Sequence, residues 1–275
     1  MDLFASYTGS DFLAFYAVML VTCVFLGIWI PANLRDKGRY GRVAERDEVA
    51  VLTGGKGRFS IALVTDLFAQ GALSQESNNR LRVAKTEQEG SEAEQAVLRE
   101  IGSLKLGHIQ SKLNPYASRV ESDLIARGLL LDQSERLKLR ALSVLPYAAL
   151  FLIGLYRQQA GEALGEPTGF LIMLLAVTAF FAIIRFARFN PRTMAGNEAF
   201  RAVEEKVARM RTAPTGNEAG FAVAVFGTAV LVGTPWEPVH ALRGGADGGG
   251  GGDSSDSGDG GDGGGCGGGC GGCGG

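Results

Sequence analysis

Three stretches of the chain carry no charge over about the length of a membrane-crossing helix. Residues 12–30, FLAFYAVMLVTCVFLGIWI, are nineteen without a charged side chain. A helix rises about 1.5 Å per residue and a bilayer's hydrocarbon core is about 30 Å thick, so this run just spans. It has no basic leader and no small-residue cleavage site, which sets it apart from a cleaved signal peptide. Residues 141–156, ALSVLPYAALFLIGLY, are sixteen between Arg140 and Arg157, and residues 167–184, PTGFLIMLLAVTAFFAII, are eighteen between Glu166 and Arg185. Joined by RQQAGEALGE, the last two predict a helical hairpin within 141–188. A soluble hairpin of this length would show a polar face, and neither run has one.

The charges flanking these runs set an orientation. Before residue 12 lie Asp2 and Asp11 and no Lys or Arg; after residue 30 come Arg35, Lys37, Arg39 and Arg42. Arg136, Lys138 and Arg140 precede the hairpin, and Arg185, Arg188 and Arg192 follow it. Basic residues stay on the cytoplasmic side, so the N-terminus is expected outside and residues 31–140 in the cytoplasm. A fourth run, 220–236, has an apolar core of about a dozen residues cut by Gly227. That length fits a buried or interfacial helix better than a span, which leaves the C-terminus in the cytoplasm.

Between the first helix and the hairpin, residues 43–140 repeat a pattern. EVAVL at Glu48 returns as EQAVL at Glu94, and DLFAQGAL at Asp66 returns as DLIARGLL at Asp123. Each copy predicts short helices and then a longer one ending at Gly71 or Gly128, where glycine fits the left-handed cap. After Gly71, ALSQ and RLRVA alternate around the polar ESNN, which predicts a small hairpin. Helix, helix, glycine and hairpin outline a winged helix, so 43–140 is expected to hold a pair of winged-helix-like repeats. Residues 189–243 then supply cytoplasmic helices. In EAFRAVEEKVARMR, Phe200, Val203, Val207 and Met210 share one face, so that helix lies on the membrane or on the repeats.

Winged helices often read DNA, and composition bears on this. The whole chain carries a formal charge of -2. Residues 31–140 hold eighteen Lys and Arg against fifteen Asp and Glu, a net of +3. Several of those bases are juxtamembrane, where anionic lipid accounts for them. The helix that would enter a groove, RFSIALVTDLFAQ, is largely apolar, whereas a base-reading helix presents Arg, Lys, Asn or Gln. Nucleic acid is therefore disfavoured as a partner, and a protein partner together with the lipid bilayer is expected.

Candidate chemistry is sparse. TGGKGRFS at 53–60 fails the spacing of a phosphate-binding loop, because Gly54 and Gly55 are adjacent and no Ser or Thr follows Lys56. It reads as a tight turn between helices, with Arg58 opening the second. His108 and His240 are the only histidines, and neither has a ligand-spaced Cys, Asp or Glu. Without a nucleophile–base pair the chain is not read as an enzyme.

The order of these features resembles an uncharacterised family of bacterial multi-pass membrane proteins with a Gly/Cys-rich low-complexity C-terminus. The residues that carry the likeness are EVAVLTGGKGR at 48–58, EQAVL at 94–98, ARGLLL at 126–131, LIGLYR at 152–157, GEPTGFL at 165–171, AVAVFG at 222–227, and the tail. The resemblance implies a multi-pass protein of the bacterial plasma (inner) membrane. It supplies no reaction, ligand or site residue.

The tail, 244–275, has twenty glycines, five aspartates, three serines, three cysteines and one alanine. It offers almost nothing to bury and is expected to be disordered. Cys266, Cys270 and Cys273 form C-x3-C-x2-C and are the candidate metal ligands, for a soft metal such as zinc or copper, with His240 or a partner as a fourth donor. The opposing expectation is a solvating low-complexity tail. The fold class is therefore mainly α: transmembrane helix 1–34, duplicated region 43–140, hairpin 141–188, helices 189–243 and a Gly-rich tail. Three functions are weighed. The first is a membrane-anchored interaction protein, the second a metal- or redox-handling membrane protein using the tail, and the third a membrane-tethered transcription regulator.

Overall fold

The structure is a computed structural model and describes residues 9–76, 80–85, 90–163, 169–187 and 189–246. Three of its helices are long and apolar enough to cross a membrane: α1 (Gly9–Asn33), α5 (Gln133–Ala163) and α6 (Gly169–Ala187). Between α1 and α5 come α2 (Arg46–Ala69), β1 (Leu73–Glu76), β2 (Arg80–Val83), α3 (Glu92–Leu98), β3 (Ser103–Lys105) and α4 (Leu106–Ala126). After α6 follow α7 (Met194–Lys206), α8 (Ala219–Phe226) and α9 (Glu237–Ala246), with short 3-10 turns between them.

The three long helices pack through one face each and leave the others apolar and open. Phe12, Tyr16, Leu20 and Cys23 of α1 are buried against Tyr147 and Leu150 of α5 and Leu171 and Leu175 of α6. Val18, Val21 and Phe25 of α1, Leu145 and Leu152 of α5, and Phe170, Met173 and Phe180 of α6 are exposed. Apolar faces turned outward on three such helices are consistent with a membrane protein. Small residues bring the backbones close: a Cβ at Gly154 would lie 2.8 Å from both Tyr16 Cε2 and Leu175 Cδ2. One polar pair sits inside. Thr178 Oγ1 donates to the Leu174 carbonyl at 2.8 Å, so the Tyr16 hydroxyl, 3.1 Å away, donates to Thr178. A hydroxyl in this setting has no water to turn to and needs that partner.

The remaining elements form one body around α2. Its second half is buried on every side: Phe59, Ile61, Ala62, Leu63, Val64 and Leu67 are all in the core. α4 packs on one side of it and α8 on the other. α8 comes very close, because a Cβ at Gly220 would lie 2.7 Å from Asp66 Cβ and 2.9 Å from the Ala62 carbonyl oxygen. α4 contributes Leu106, Ile109, Leu113, Ala117 and Leu124, which fall on one helical face. The sheet has the order β1-β2-β3, antiparallel throughout, with Leu73 opposite Val83 and Leu81 opposite Leu104. Buried Leu73, Leu81 and Leu104 turn the same face of the sheet to the core.

Several expectations from the sequence appear as drawn. The hairpin after Gly71 is β1 and β2, and Gly71 and Gly128 follow α2 and α4 with φ of 70° and 71°. The turn in TGGKGRFS breaks α2, with Gly54 at φ -143° and Gly55 at φ 64°. The expected pair of repeats is not matched. The duplicated region does not divide into two modules. Its second copy gives β3 to the sheet of the first, because three short strands with one apolar face are more stable than a lone hairpin. Where a second hairpin would follow Gly128, Leu130 instead bridges to Arg192. α7 lies on this region, one of the two placements expected for it, and Ala195, Ala199, Val203, Val223, Val239 and Leu242 share its core. The fourth apolar run is, as its length predicts, a buried helix, α8, followed by the 3-10 turn Thr228–Leu231. α9 also runs on to Ala246, past the expected start of the tail at 244, since each residue added to a docked helix gains a hydrogen bond.

The Gly154 contact generates a test. Gly154→Ala should destabilise the full chain by about 1–3 kcal/mol through overpacking. Gly169→Ala, with nothing within 4 Å of its new methyl, should be neutral or slightly stabilising. Thermal unfolding in detergent compares the two, and equal midpoints would contradict the packing described.

Candidate functional site

The feature that organises the molecule is the joint where chain leaves and re-enters the three long helices. Three segments meet there: 36–39 after α1, 128–131 before α5, and 190–195 after α6. Arg39 N donates to the Gly128 carbonyl at 3.3 Å, and Leu131 N donates to the Pro191 carbonyl at 2.9 Å. Thr193 N donates to the Leu129 carbonyl at 3.1 Å. Met194 N and Ala195 N donate to the Asp36 and Lys37 carbonyls, each at 3.0 Å. Thr193 Oγ1 adds a bond to the Gly128 carbonyl at 2.8 Å and also caps α7 by accepting from Gly196 N at 3.0 Å. The segments fit because Gly38 and Gly128 sit in left-handed backbone, at φ 68° and 71°. A Cβ at Gly128 would lie 2.9 Å from Arg39 N.

Arg192 locks the joint to the core. It is 9% exposed. Its Nε donates to the Leu52 carbonyl at 2.9 Å, an Nη to the Thr53 carbonyl at 3.3 Å, and its guanidinium lies 4.2 Å from the Phe200 ring centroid. Those carbonyls are free because Gly54 and Gly55 leave the helix, so the glycine turn supplies acceptors for a buried arginine. Thr53 Oγ1 stands 2.6 Å from the Ala224 carbonyl and Arg58 Nη1 3.4 Å from the Val225 carbonyl. The turn's polar groups thus tie α8 to α2 and hold no phosphate cradle.

A half-buried ionic cluster joins the two copies of the repeat. Arg46 pairs with Asp66, with Glu94 at 2.9 Å and with Asp47 at 2.9 Å. Glu94 serves twice: its other oxygen accepts from Ser91 N at 2.9 Å, closing the capping box of α3. Burial opposes the charge on Arg46, but the three carboxylates outweigh it and raise its pKa further. Burial pushes the Asp66 carboxyl up despite Arg46, because Arg46 is shared and Glu94 repels it. Every acid in the cluster faces the arginine, so the group staples two helices together rather than holding a free general base.

The histidines are engaged or solvated. His240 Nδ1 lies 2.9 Å from Thr228 Oγ1, and His108 Nε2 lies 3.6 Å from Glu100 Oε2 at the surface. Among the described residues no three His, Cys, Asp or Glu gather as metal ligands. Cys266, Cys270 and Cys273 lie outside the described residues.

Two surfaces carry side chains that the core does not use. In the turn before the edge strand β3, Ile101 is 98% exposed, held out by Gly102 at φ 98°. At the other end of the body, the basic residues beside α5 and α6 are built in rather than splayed. Arg136 bonds the Leu131 carbonyl at 2.7 Å and Glu121 at 2.8 Å. One turn on, the Arg140 guanidinium lies 5.6 Å from the Phe186 ring and 5.3 Å from the Phe189 ring. Sequence reading treated Arg140, Arg185 and Arg192 alike, as topological signals. The Asn190-Pro191 turn preceding Arg192 was the one local hint that this arginine turns inward.

Replacing Arg192 should show what the joint is worth. Arg192→Met keeps bulk but leaves the Leu52 and Thr53 carbonyls unpaired, and should cost about 2–3 kcal/mol. Arg201→Met, on the exposed side of α7, should stay within about 0.5 kcal/mol of the parent. Thermal unfolding of the detergent-solubilised chain measures both; matching midpoints would show Arg192 to be dispensable.

The chain matches no protein-family model, no curated protein and no solved structure.

Proposed function

We propose that this chain is a membrane-anchored interaction protein that docks a cytoplasmic protein partner through the body built on residues 43–140. The observation that carries it is the joint. Three crossings bonded to one another fix the body to the helices, so a surface on that body is presented at a set orientation to the bilayer. A tethered domain on loose linkers would have no need of such a lock. The sheet and the helices around it then act as a single winged-helix-like docking module, and the fully exposed Ile101 beside its edge strand is the anchor for the partner.

The topology follows the flanking charges, with residues 31–140 cytoplasmic and the N-terminus outside. Trp29, half exposed near the end of α1, sits where an aromatic residue meets the interface. Val239 and Leu242 of α9 share the core with α2, which supports a cytoplasmic position for α9. The order of motifs that resembles bacterial multi-pass proteins accords with the bacterial inner membrane. Reading DNA is disfavoured because the helix that would enter a groove, Phe59 to Leu67, is the buried centre of the body.

The tail gives a second reading, a soft-metal site on Cys266, Cys270 and Cys273, favoured by their close spacing on a glycine chain.

Two experiments decide between these. A photo-crosslinking residue at position 101, in living cells, should give one discrete protein adduct. The same residue at position 119, on the exposed side of α4, should give none; adducts of equal pattern at both positions would remove Ile101 as an anchor. For the tail, zinc and copper are measured in protein purified with and without its last eleven residues. The interaction reading expects equal content, and a loss of about one metal ion per chain on truncation would favour the metal site instead.

A further inference from the structure

We propose that Arg140 and Arg185 form a binding site for a phosphate group at the cytoplasmic face of the helix bundle, and that an anionic lipid headgroup supplies it. The proposal rests on the membrane reading of α1, α5 and α6. Arg140 closes the polar end of α5, and Arg185 lies in the last turn of α6. Both are half-buried. The Nε atoms of Arg140 and Arg185 are buried, and among the described residues neither has a hydrogen-bond partner. Neither arginine has a carboxylate in salt-bridge range among the described residues, unlike Arg136, which Glu121 holds at 2.8 Å. Two buried N–H donors without an acceptor are costly, and a ligand that brings acceptor oxygens and negative charge removes that cost.

The chemistry of the ligand follows from the donors. Guanidinium groups match the tetrahedral oxygens of phosphate with paired N–H bonds. Phe186 and Phe189 hold the Arg140 plane from its face and leave its N–H edge to donate. The surroundings point to a lipid over a free ion. Phe186 and Ile183 of α6 and Leu142 of α5, next to the two arginines, are exposed apolar side chains that face where acyl chains lie. A headgroup on the arginines would lay its chains along them. Basic pockets between membrane helices on the cytoplasmic side are suited to anionic lipid.

The test uses the full chain in neutral detergent micelles, titrated with phosphatidylglycerol, with phosphatidylcholine, or with inorganic phosphate in phosphatidylcholine micelles. Phosphatidylglycerol should raise the unfolding temperature, and phosphatidylcholine should raise it less. Arg140→Gln or Arg185→Gln should each weaken the apparent phosphatidylglycerol affinity about fivefold, whereas Arg201→Gln should leave it unchanged. Where a glutamine variant does not fold, the corresponding lysine variant, which keeps charge but loses the paired donors, should still weaken binding. Native mass spectrometry of the purified chain should show an anionic phospholipid adduct that the variants lose. An arginine-dependent shift with inorganic phosphate alone would support the phosphate site and overturn the lipid as its source. Equal affinity for phosphatidylglycerol in the parent and the arginine variants would overturn the site itself. A chain that is monodisperse without detergent would instead overturn the membrane reading, which is a separate outcome.

Discussion

The structure depends on one constraint: three helices long and apolar enough to cross a membrane must bring their polar ends back to a single body. It does so by bonding the segments that leave and enter those helices to one another. The Gly128–Leu131 segment is the centre of this arrangement. It accepts from Arg39 and Thr193 and donates to Pro191, so α1, α5 and α6 all report to one short irregular stretch of backbone. Backbone groups at such a crossing leave both water and regular secondary structure, and each must find a partner. Pairing the crossings satisfies them together. The consequence is a body fixed to the three long helices.

Charge is used twice in this chain, at two depths. On the body, Arg46 is surrounded by carboxylates, and the cluster exists to hold α2 against α3. Beside the long helices, Arg192 and Arg140 meet carbonyls and aromatic rings. Arg192 bonds the Leu52 and Thr53 carbonyls, and the Arg140 guanidinium lies over the Phe186 and Phe189 rings. Guanidinium suits both settings because it stays charged while offering flat apolar faces and a polar edge. Lysine could not replace it at Arg192 without losing either the ring contact or one of the two carbonyls.

The glycine turn at 54–55 shows how a motif can look like chemistry and be architecture. Breaking α2 there exposes the carbonyls of Leu52 and Thr53, which would otherwise bond within the helix. One neighbour, Arg192, comes from 139 and 140 residues away to take them. Another, Thr53 itself, reaches the end of α8 at Ala224. The local sequence announces a turn, and the partners that give the turn its purpose lie far along the chain.

What the sequence determined by itself is whatever depends on short-range physics. Charge-free length fixed the three long helices, positive-φ demands fixed Gly71 and Gly128 as helix ends, and period-two alternation fixed β1 and β2. Length also identified the fourth apolar run as too short to span. Only the tertiary structure decided how the repeat is used. Copies of EVAVL and EQAVL look equivalent along the chain, yet a sheet needs a third strand more than the chain needs a second hairpin, and β3 went to the first copy. Burial of α8 beside Ala62 and Asp66, the inward turn of Arg192, and the unpaired edges of Arg140 and Arg185 are likewise contacts between residues far apart. No local pattern encodes them, because hydrogen-bond geometry and close packing are settled only when distant segments meet.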